Sequence, residues 1–205
     1  MSPTNTRTRP LPDEALSRLI AGNKRYLDGI DSPDSFKFQD PAIQDHQQPY
    51  ACILGCADSR VSPEHTFDEG HGNLFVTRIA GNFVTPEILA SLEYGTAVLG
   101  ASVILVLGHS GCGAINAAIK SVQSNTIFDG HISGLIDRLV PSVEEVRHHD
   151  HEHWQREAII QNVVQNVSIL RASEPILKKR IEDGLLKVVG GVYSLQCGEV
   201  SIIDN

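Results

Sequence analysis

Cys56, Asp58 and Arg60 stand at every second position just after a short apolar run, residues 51–54. In extended chain, alternate residues project to one side. A thiol, a carboxylate and a guanidinium therefore converge beyond the end of a buried strand, where open α/β sheets build ligand sites. A second pair, His109 and Cys112, follows the most apolar segment of the chain, residues 102–107. Two thiols and one imidazole are a zinc-ligand set, and three protein ligands with an open fourth position is the pattern of a catalytic zinc site. Cys112 falls near an expected helix N-terminus, which favours its thiolate. An ion held there lowers the pKa of water into the neutral range. Asp58 can accept a hydrogen bond from that water, and Arg60 can keep the carboxylate ionised and aimed.

Each group taken singly has a plainer reading. Cys56 and Cys112 are then buried thiols, His109 a loop histidine, and Asp58–Arg60 a salt bridge in a turn. Taken jointly, at two strand exits, they read as a site. Of the four cysteines, neither other completes the set. Cys52 lies four residues before Cys56, roughly 13 Å along a strand, and Cys197 falls in a terminal turn. There is no Cys-x-x-Cys pair to support redox chemistry.

The elements that must position these groups alternate between strand and helix. Residues 11–28 read as an amphipathic helix with Leu16, Leu19, Ile20, Tyr26 and Leu27 on its apolar stripe. A polar arm, 30–48, carries Pro33 and Pro41 and reads as a segment that packs on a partner subunit. Strands are expected at 50–54, 74–77 and 102–107, the last central and parallel. Helices are expected from Ser62, from Thr85 to about 99 with Ile88, Leu89, Leu92 and Val98 inward, and at 112–120. Further helices follow over 127–147 (interrupted by Gly134 and Pro141), 152–171 and 174–182. Runs 185–193 and 199–203 close the chain as a hairpin around Gln196, Cys197 and Gly198. The fold class is α/β, a mainly parallel sheet flanked by helices, with an N-terminal helical arm and a C-terminal β-hairpin or edge strand.

With 205 residues, 41% of them apolar and 20% charged, the chain suits one soluble domain, 11–205, behind a short flexible tail, 1–10. Residues 11–48 would form the dimerisation arm. A net charge of −8 argues against a nucleic-acid partner. The longest apolar run, about 97–107, is too short to span a bilayer, which argues against a membrane partner. The polar N-terminus lacks the apolar segment of a secretory signal, so a cytoplasmic location is expected, with a short organelle-targeting peptide as the open alternative.

Cys56, Asp58 and Arg60 followed by His109 and Cys112 resemble the signature pair of the β-class carbonic anhydrases. The likeness extends to residues 18–26, 75–82, 91–94 and 190–193, and so to most of the chain between Leu16 and Ile203. It implies a zinc lyase that reversibly hydrates CO2 to bicarbonate and a proton, with one Zn2+ per chain on Cys56, His109 and Cys112 and an Asp58–Arg60 dyad. It also implies a homodimer, or a tetramer, with substrate walls drawn from two subunits. By position, Gln47 matches an amide donor to substrate, Phe75, Ala80 and Tyr94 match pocket walls, and Gly113 a backbone amide near substrate. Gln47 reads equally as one polar residue among several, and the walls equally as core. In some members the carboxylate closes the site on the metal, stabilised by bicarbonate near a tryptophan, an arginine and a tyrosine. Arg78 and Tyr193 match that pattern, but Ile53 stands at the tryptophan position and Trp154 lies elsewhere. The open, constitutively active type is therefore expected, and Arg78 reads equally as a structural ion pair. His65, His71 and Tyr94 are candidate proton shuttles. The cluster from His148 to His153 reads as a solvated loop.

Two rivals use the same residues: hydrolysis of CS2 or COS, and a non-catalytic zinc scaffold or bicarbonate sensor. A nucleotide site at Gly108–Gly113 is disfavoured, because that loop lacks the Gly-x-Gly-x-x-Gly spacing. The ligand assignment predicts that Cys56→Ser or His109→Ala loses both the metal and activity. Metal analysis of the purified variants checks it.

Overall fold

Strands buried on both faces must be apolar at nearly every position, and parallel strands need helical crossovers. The computed structural model, which describes residues 9–29, 47–148 and 151–203, meets both conditions. Strands β1 (Ala51–Gly55), β2 (Leu74–Arg78), β3 (Val103–His109) and β4 (Lys187–Tyr193) run parallel, and β5 (Val200–Ile203) pairs antiparallel with β4. Their order is β2-β1-β3-β4-β5, with β3 central as expected. Every residue of β1 and β3 is buried.

The sheet has a core on each side, because successive side chains alternate. Ile53, Leu105 and Leu107 join Leu19, Phe67 and Tyr193 on one face. Leu54, Ile104 and Val106 join Leu92, Val163, Val167 and Leu170 on the other. Each such large side chain stabilises the fold by about 1.5–3 kcal/mol on burial. A third cluster, with Cys56, Cys112, Ile115, Leu139, Trp154 and Ile159, caps the carboxyl end of the strands.

The first face is covered by α1 (Pro12–Leu27), which docks on its own chain. Ala15 and Leu19 are fully buried. Arg18 pairs with the buried Glu69 and lies 4.1 Å above the Tyr50 ring, and Arg25 pairs with Asp68. Asn23 ties three segments together. Its Nδ2 donates to the carbonyls of Thr66 (3.0 Å) and Gly198 (2.9 Å), and its Oδ1 accepts from Val200 N–H (2.9 Å). The expected tail and arm, 1–8 and 30–46, lie outside the described residues.

The crossovers follow in order. Helix α2 (Pro63–Thr66) links β1 to β2, and α3 (Pro86–Glu93), capped by the Thr85 hydroxyl, links β2 to β3. From β3 to β4 run α4 (Gly113–Ser124), α5 (His131–Asp137), α6 (Val140–Glu145), α7 (His151–Ala172) and α8 (Leu177–Glu182). Among the described residues, no helix is long and apolar enough to cross a membrane.

Four local expectations need correction. Of the apolar stripe expected on α1, Ile20, Tyr26 and Leu27 are exposed. Val98 does not face inward and is 60% exposed. After α3 the winding widens to a π turn, Tyr94–Val98, in which Leu99 N–H bonds back to Tyr94 O. The added residue per turn rotates later side chains off the helical stripe. Gly134 lies inside α5 and does not interrupt it. The break falls at Arg138 and Leu139, and Pro141 sits in the first turn of α6, where its missing N–H costs nothing. The helix expected from residue 174 begins at Leu177, with Pro175 in the turn before it.

Helix propensity says that Gly22→Ala should stabilise α1 by about 1 kcal/mol. The fold says the opposite, because an added Cβ would lie 1.9 Å from the Phe67 carbonyl oxygen. The expected outcome is a net loss of about 1–3 kcal/mol, of the size seen on overpacking. Urea unfolding of the variant and its parent measures the sign.

Candidate metal centre

Strands β1 and β3 are parallel neighbours with Gly55 opposite Leu107. Cys56 directly follows β1, and His109 is the last residue of β3. Gly111, at φ +66°, turns the chain in a conformation that suits glycine, and Cys112 follows as the N-cap of α4. One ligand atom from each of Cys56, His109 and Cys112 lies within 4.8 Å of the other two. All three residues are buried, His109 completely.

The donors fit a metal ion. His109 Nδ1 lies 3.0 Å from the Ser110 carbonyl, to which only a protonated nitrogen can donate. That tautomer leaves a lone pair on Nε2, which is buried with no hydrogen-bond partner. A buried acceptor facing two sulfurs is the arrangement a thiophilic divalent ion satisfies.

Proton affinities within the trio are unequal. A hydrogen bond from Cys112 pushes the Cys56 thiol down to about 4. Burial opposes this, and the neighbouring His109 imidazole and the Gly81 N–H add to it. Cys112, hydrogen-bonded to that thiolate and buried, is held well above the usual thiol range. Burial alone would lower the His109 pKa, but the neighbouring Cys56 thiolate outweighs burial and raises it.

Asp58 and Arg60 form a two-pronged pair. Arg60 Nε donates to Oδ1 (2.9 Å) and Nη2 to Oδ2 (2.7 Å), and the Arg60 amide also donates to Oδ1 (3.0 Å). Asp58 Oδ2 stands 3.9 Å from His109 Nε2. The Arg60 hydrogen bonds hold the Asp58 carboxyl well below the usual carboxylate range, against a smaller effect of burial. Arg60 Nη2 also reaches the Gly111 carbonyl at 3.4 Å, so the pair bridges the two ligand loops.

Arg78 makes no ion pair among the described residues. It donates to the carbonyls of Cys56 (2.8 Å), Asp58 (2.6 Å) and Val61 (2.9 Å) and so braces the loop that carries the dyad. Tyr193 Oη lies 3.3 Å from Tyr26 Oη. Ile53 is core.

The other expected site residues divide by position. Ala80 and Gly113 lie beside the ligands. Ala80 precedes Gly81, whose N–H donates to Cys56 Sγ at 3.3 Å, and Gly113 is the first residue of α4, next to Cys112. Phe75 is paired in register with Cys52, four residues before Cys56, and stacks at a tilt on Tyr94 with centroids 6.2 Å apart. Gln47 packs its Cα near Gly72, ahead of β1 at the amino end of the sheet. One chain does not bring Phe75, Tyr94 or Gln47 to its own ligands. His65 lies on α2 and His71 in the turn before β2. His148 and His153 are exposed, and residues 149–150 between them lie outside the described residues. Cys52, buried on the second face, has its thiol pushed up to about 12 by burial.

The sequence reading missed Gly81, Ser110, Asn162 and Asn166. Ser110 Oγ accepts from Leu195 N–H (2.9 Å) and pins the terminal turn to the β3 exit. The two asparagines had a signal, an i, i+4 polar pair inside the apolar stripe of α7.

A family model described as carbonic anhydrase matches residues 51–200. Carbonic anhydrase 2 of Mycobacterium tuberculosis is 36% identical over 195 residues, which cover 95% of this chain and 94% of that protein. The carbonic anhydrase of Mycolicibacterium smegmatis is 31% identical, covering 93% of each. Among solved structures, a Coccomyxa β-carbonic anhydrase in complex with acetazolamide aligns with a TM-score of 0.72 at 28% identity, over 92% of this chain and 86% of that one. A tetrameric β-carbonic anhydrase from Sordaria macrospora aligns with a TM-score of 0.73 at 25% identity, over 80% of this chain and 85% of that one.

The proton inventory gives a prediction for metal uptake. Metal ligands must be deprotonated, so binding releases whatever protons they hold. Near neutral pH Cys56 has none to give, Cys112 gives one, and His109 gives the fraction it holds. The count should fall from about two toward about one as pH rises through the elevated His109 pKa. Calorimetry of metal binding in buffers of different ionisation enthalpy measures it, and a count that rises with pH would contradict the assignment.

Proposed function

The chain belongs to the β-class carbonic anhydrase family, and from that premise we propose that it reversibly hydrates CO2 to bicarbonate and a proton, with one Zn2+ held by Cys56, His109 and Cys112. The observation that carries this reading is the Asp58–Arg60 pair, whose carboxylate oxygen stands 3.9 Å from the free nitrogen of a three-donor set. Zinc bound there would supply a Lewis acid that makes water nucleophilic near neutral pH.

The protein's own groups do the rest. Asp58 accepts a hydrogen bond from the reacting water and turns a lone pair of that water toward the carbon of CO2. Arg60 keeps Asp58 ionised and occupies both carboxylate oxygens, so the carboxylate is held away from the ligand set. This supports an open site near neutral pH. Ala80 supplies an apolar wall, which suits an uncharged substrate, and Gly113 a first-turn amide that can donate to a substrate oxygen.

Phe75, Tyr94 and Gln47 are assigned to the site of a second copy. Tyr94 is 48% exposed and Val98 60%, so the π turn offers an apolar face beside Phe75. This supports a homodimer, with a tetramer as the larger form. A soluble cytoplasmic enzyme is the setting proposed.

Stopped-flow hydration of CO2, on protein whose zinc content has been measured, tests the reaction. Asp58→Asn should keep the zinc and lose about a hundredfold or more in turnover, the range of general acid–base and orienting groups. Unchanged turnover would remove Asp58 from the mechanism. Absence of hydration by the zinc-loaded parent would overturn the reaction and bring forward CS2 and COS as substrates.

A further inference from the structure

Two asparagines of α7 lie in a stripe that otherwise carries Ile159, Val163, Val167 and Leu170 to the core. Asn162 is 2% exposed and Asn166 is 5%. Both hold the segment 81–84. Asn162 Nδ2 donates to the Gly81 carbonyl at 2.9 Å, and Asn166 Oδ1 accepts from Val84 N–H at 2.7 Å. Asn166 Nδ2 in turn donates to Asn162 O (2.7 Å) and Oδ1 (3.1 Å), which fixes the Asn162 amide with its donor toward Gly81. Gly81 has no slack. Its φ is +86°, and a Cβ there would lie 2.7 Å from Leu139 Cδ1. The N–H of the same glycine donates to Cys56 Sγ at 3.3 Å.

The geometry points to Asn162 as a positioning residue for the metal centre. By holding the Gly81 carbonyl it sets the Gly81 N–H donor on Cys56 Sγ, and through that bond it tunes how Cys56 binds the ion. The inference rests on the reading that Cys56 is a zinc ligand. An N–H fixed against a thiolate draws electron density from the sulfur, so the sulfur donates less to the metal and the metal stays more acidic. With two thiolates in the set, this matters more than in an all-imidazole site. The donor is a backbone amide, which does not titrate and whose placement depends on the carbonyl grip of Asn162. Outer groups that orient a ligand in this way are worth about 10- to 100-fold in metal affinity.

The test uses Asn162→Leu, which keeps the approximate volume and removes the donor. The parent and the Cys56→Ser variant are first titrated with zinc. A parent that takes up no metal, or a Cys56→Ser variant that holds it as tightly, overturns the zinc-ligand reading and this inference with it. Given a loaded parent, Asn162→Leu should release zinc to a chelator about tenfold faster, because the lost orientation of Cys56 outweighs the electron density that its sulfur regains. In the cobalt-substituted protein, its thiolate-to-cobalt absorption should move to lower energy, because the sulfur regains electron density. An unmoved band with a release rate within about twofold of the parent overturns the positioning role, whatever the loss of thermal stability; a twofold change is well below the outer-shell range. If the leucine variant does not fold, Asn162→Ser removes the same bond and is read in the same way. The parent loaded with cadmium-113 needs no variant. Scalar coupling between the Gly81 amide proton and cadmium is expected, and its absence overturns the proposal.

Discussion

The parallel pairing of β1 with β3 is the constraint on which the site depends. Parallel neighbours end on the same side of a sheet, so the residues that follow them meet. With Gly55 opposite Leu107, Cys56 and His109 leave the sheet side by side although 53 positions apart in sequence. A slip of one residue would turn every side chain of one strand to the opposite face. That slip is blocked on both sides, because Ile53 and Leu105 fill one core while Leu54, Ile104 and Val106 fill the other. The spacing of the donor trio is therefore inherited from apolar packing, and substitutions that shift the register would act on the metal centre without touching a ligand.

The loops beyond the strands turn this coarse placement into a defined one. Arg78, the last residue of β2, reaches three carbonyls of the segment 56–61. Arg60 ties that segment to Gly111, and Ser110 ties the β3 exit to the terminal turn. Each of these bonds ends on backbone, so the frame is fixed by main-chain positions while the ligand side chains keep their lone pairs. Burying two sulfurs and an imidazole disfavours their free ionised forms. The protein answers with hydrogen bonds at Cys56 and leaves His109 Nε2 unanswered, which places the remaining compensation on the metal.

Much of this was legible in the sequence because it depends on short-range pattern. The apolar runs 51–54 and 102–107 have no alternation, so they had to be buried on both faces, and reactive residues after such runs had to gather at the sheet's carboxyl end. The dyad followed from two residues at i, i+2. What was not legible depends on long-range or sub-residue geometry. The widening of the helix at Tyr94, which turned Val98 outward, leaves no mark in a period-3.6 pattern. The break at Arg138 and Leu139 was assigned to Gly134 because glycine is a weak helix former, yet an exposed helix interior tolerates one. Arg78 read equally as an anion site or an ion pair, because arginine usually seeks negative charge, but its guanidinium ends on carbonyls brought close by the turn at 56–61. Phe75, Tyr94 and Gln47 matched the family by position, and a single chain holds them away from its ligands.

The charges of the centre explain how an acidic chain can host this chemistry. A divalent ion on the proposed site would balance two thiolates, and Arg60 balances Asp58, so the loaded site would be formally neutral while the chain carries −8. Carbon dioxide has no charge, and its approach is indifferent to the surrounding field. Bicarbonate is an anion. In the proposed reaction it would form in a site that offers it no net positive charge. Arg60 is the group whose loss would upset the balance. Without it a loaded site would carry an Asp58 that has lost its two-pronged partner beside the ion. On the proposed reading the guanidinium would do more than hold an acid ionised: it would keep the carboxylate from becoming a fourth ligand.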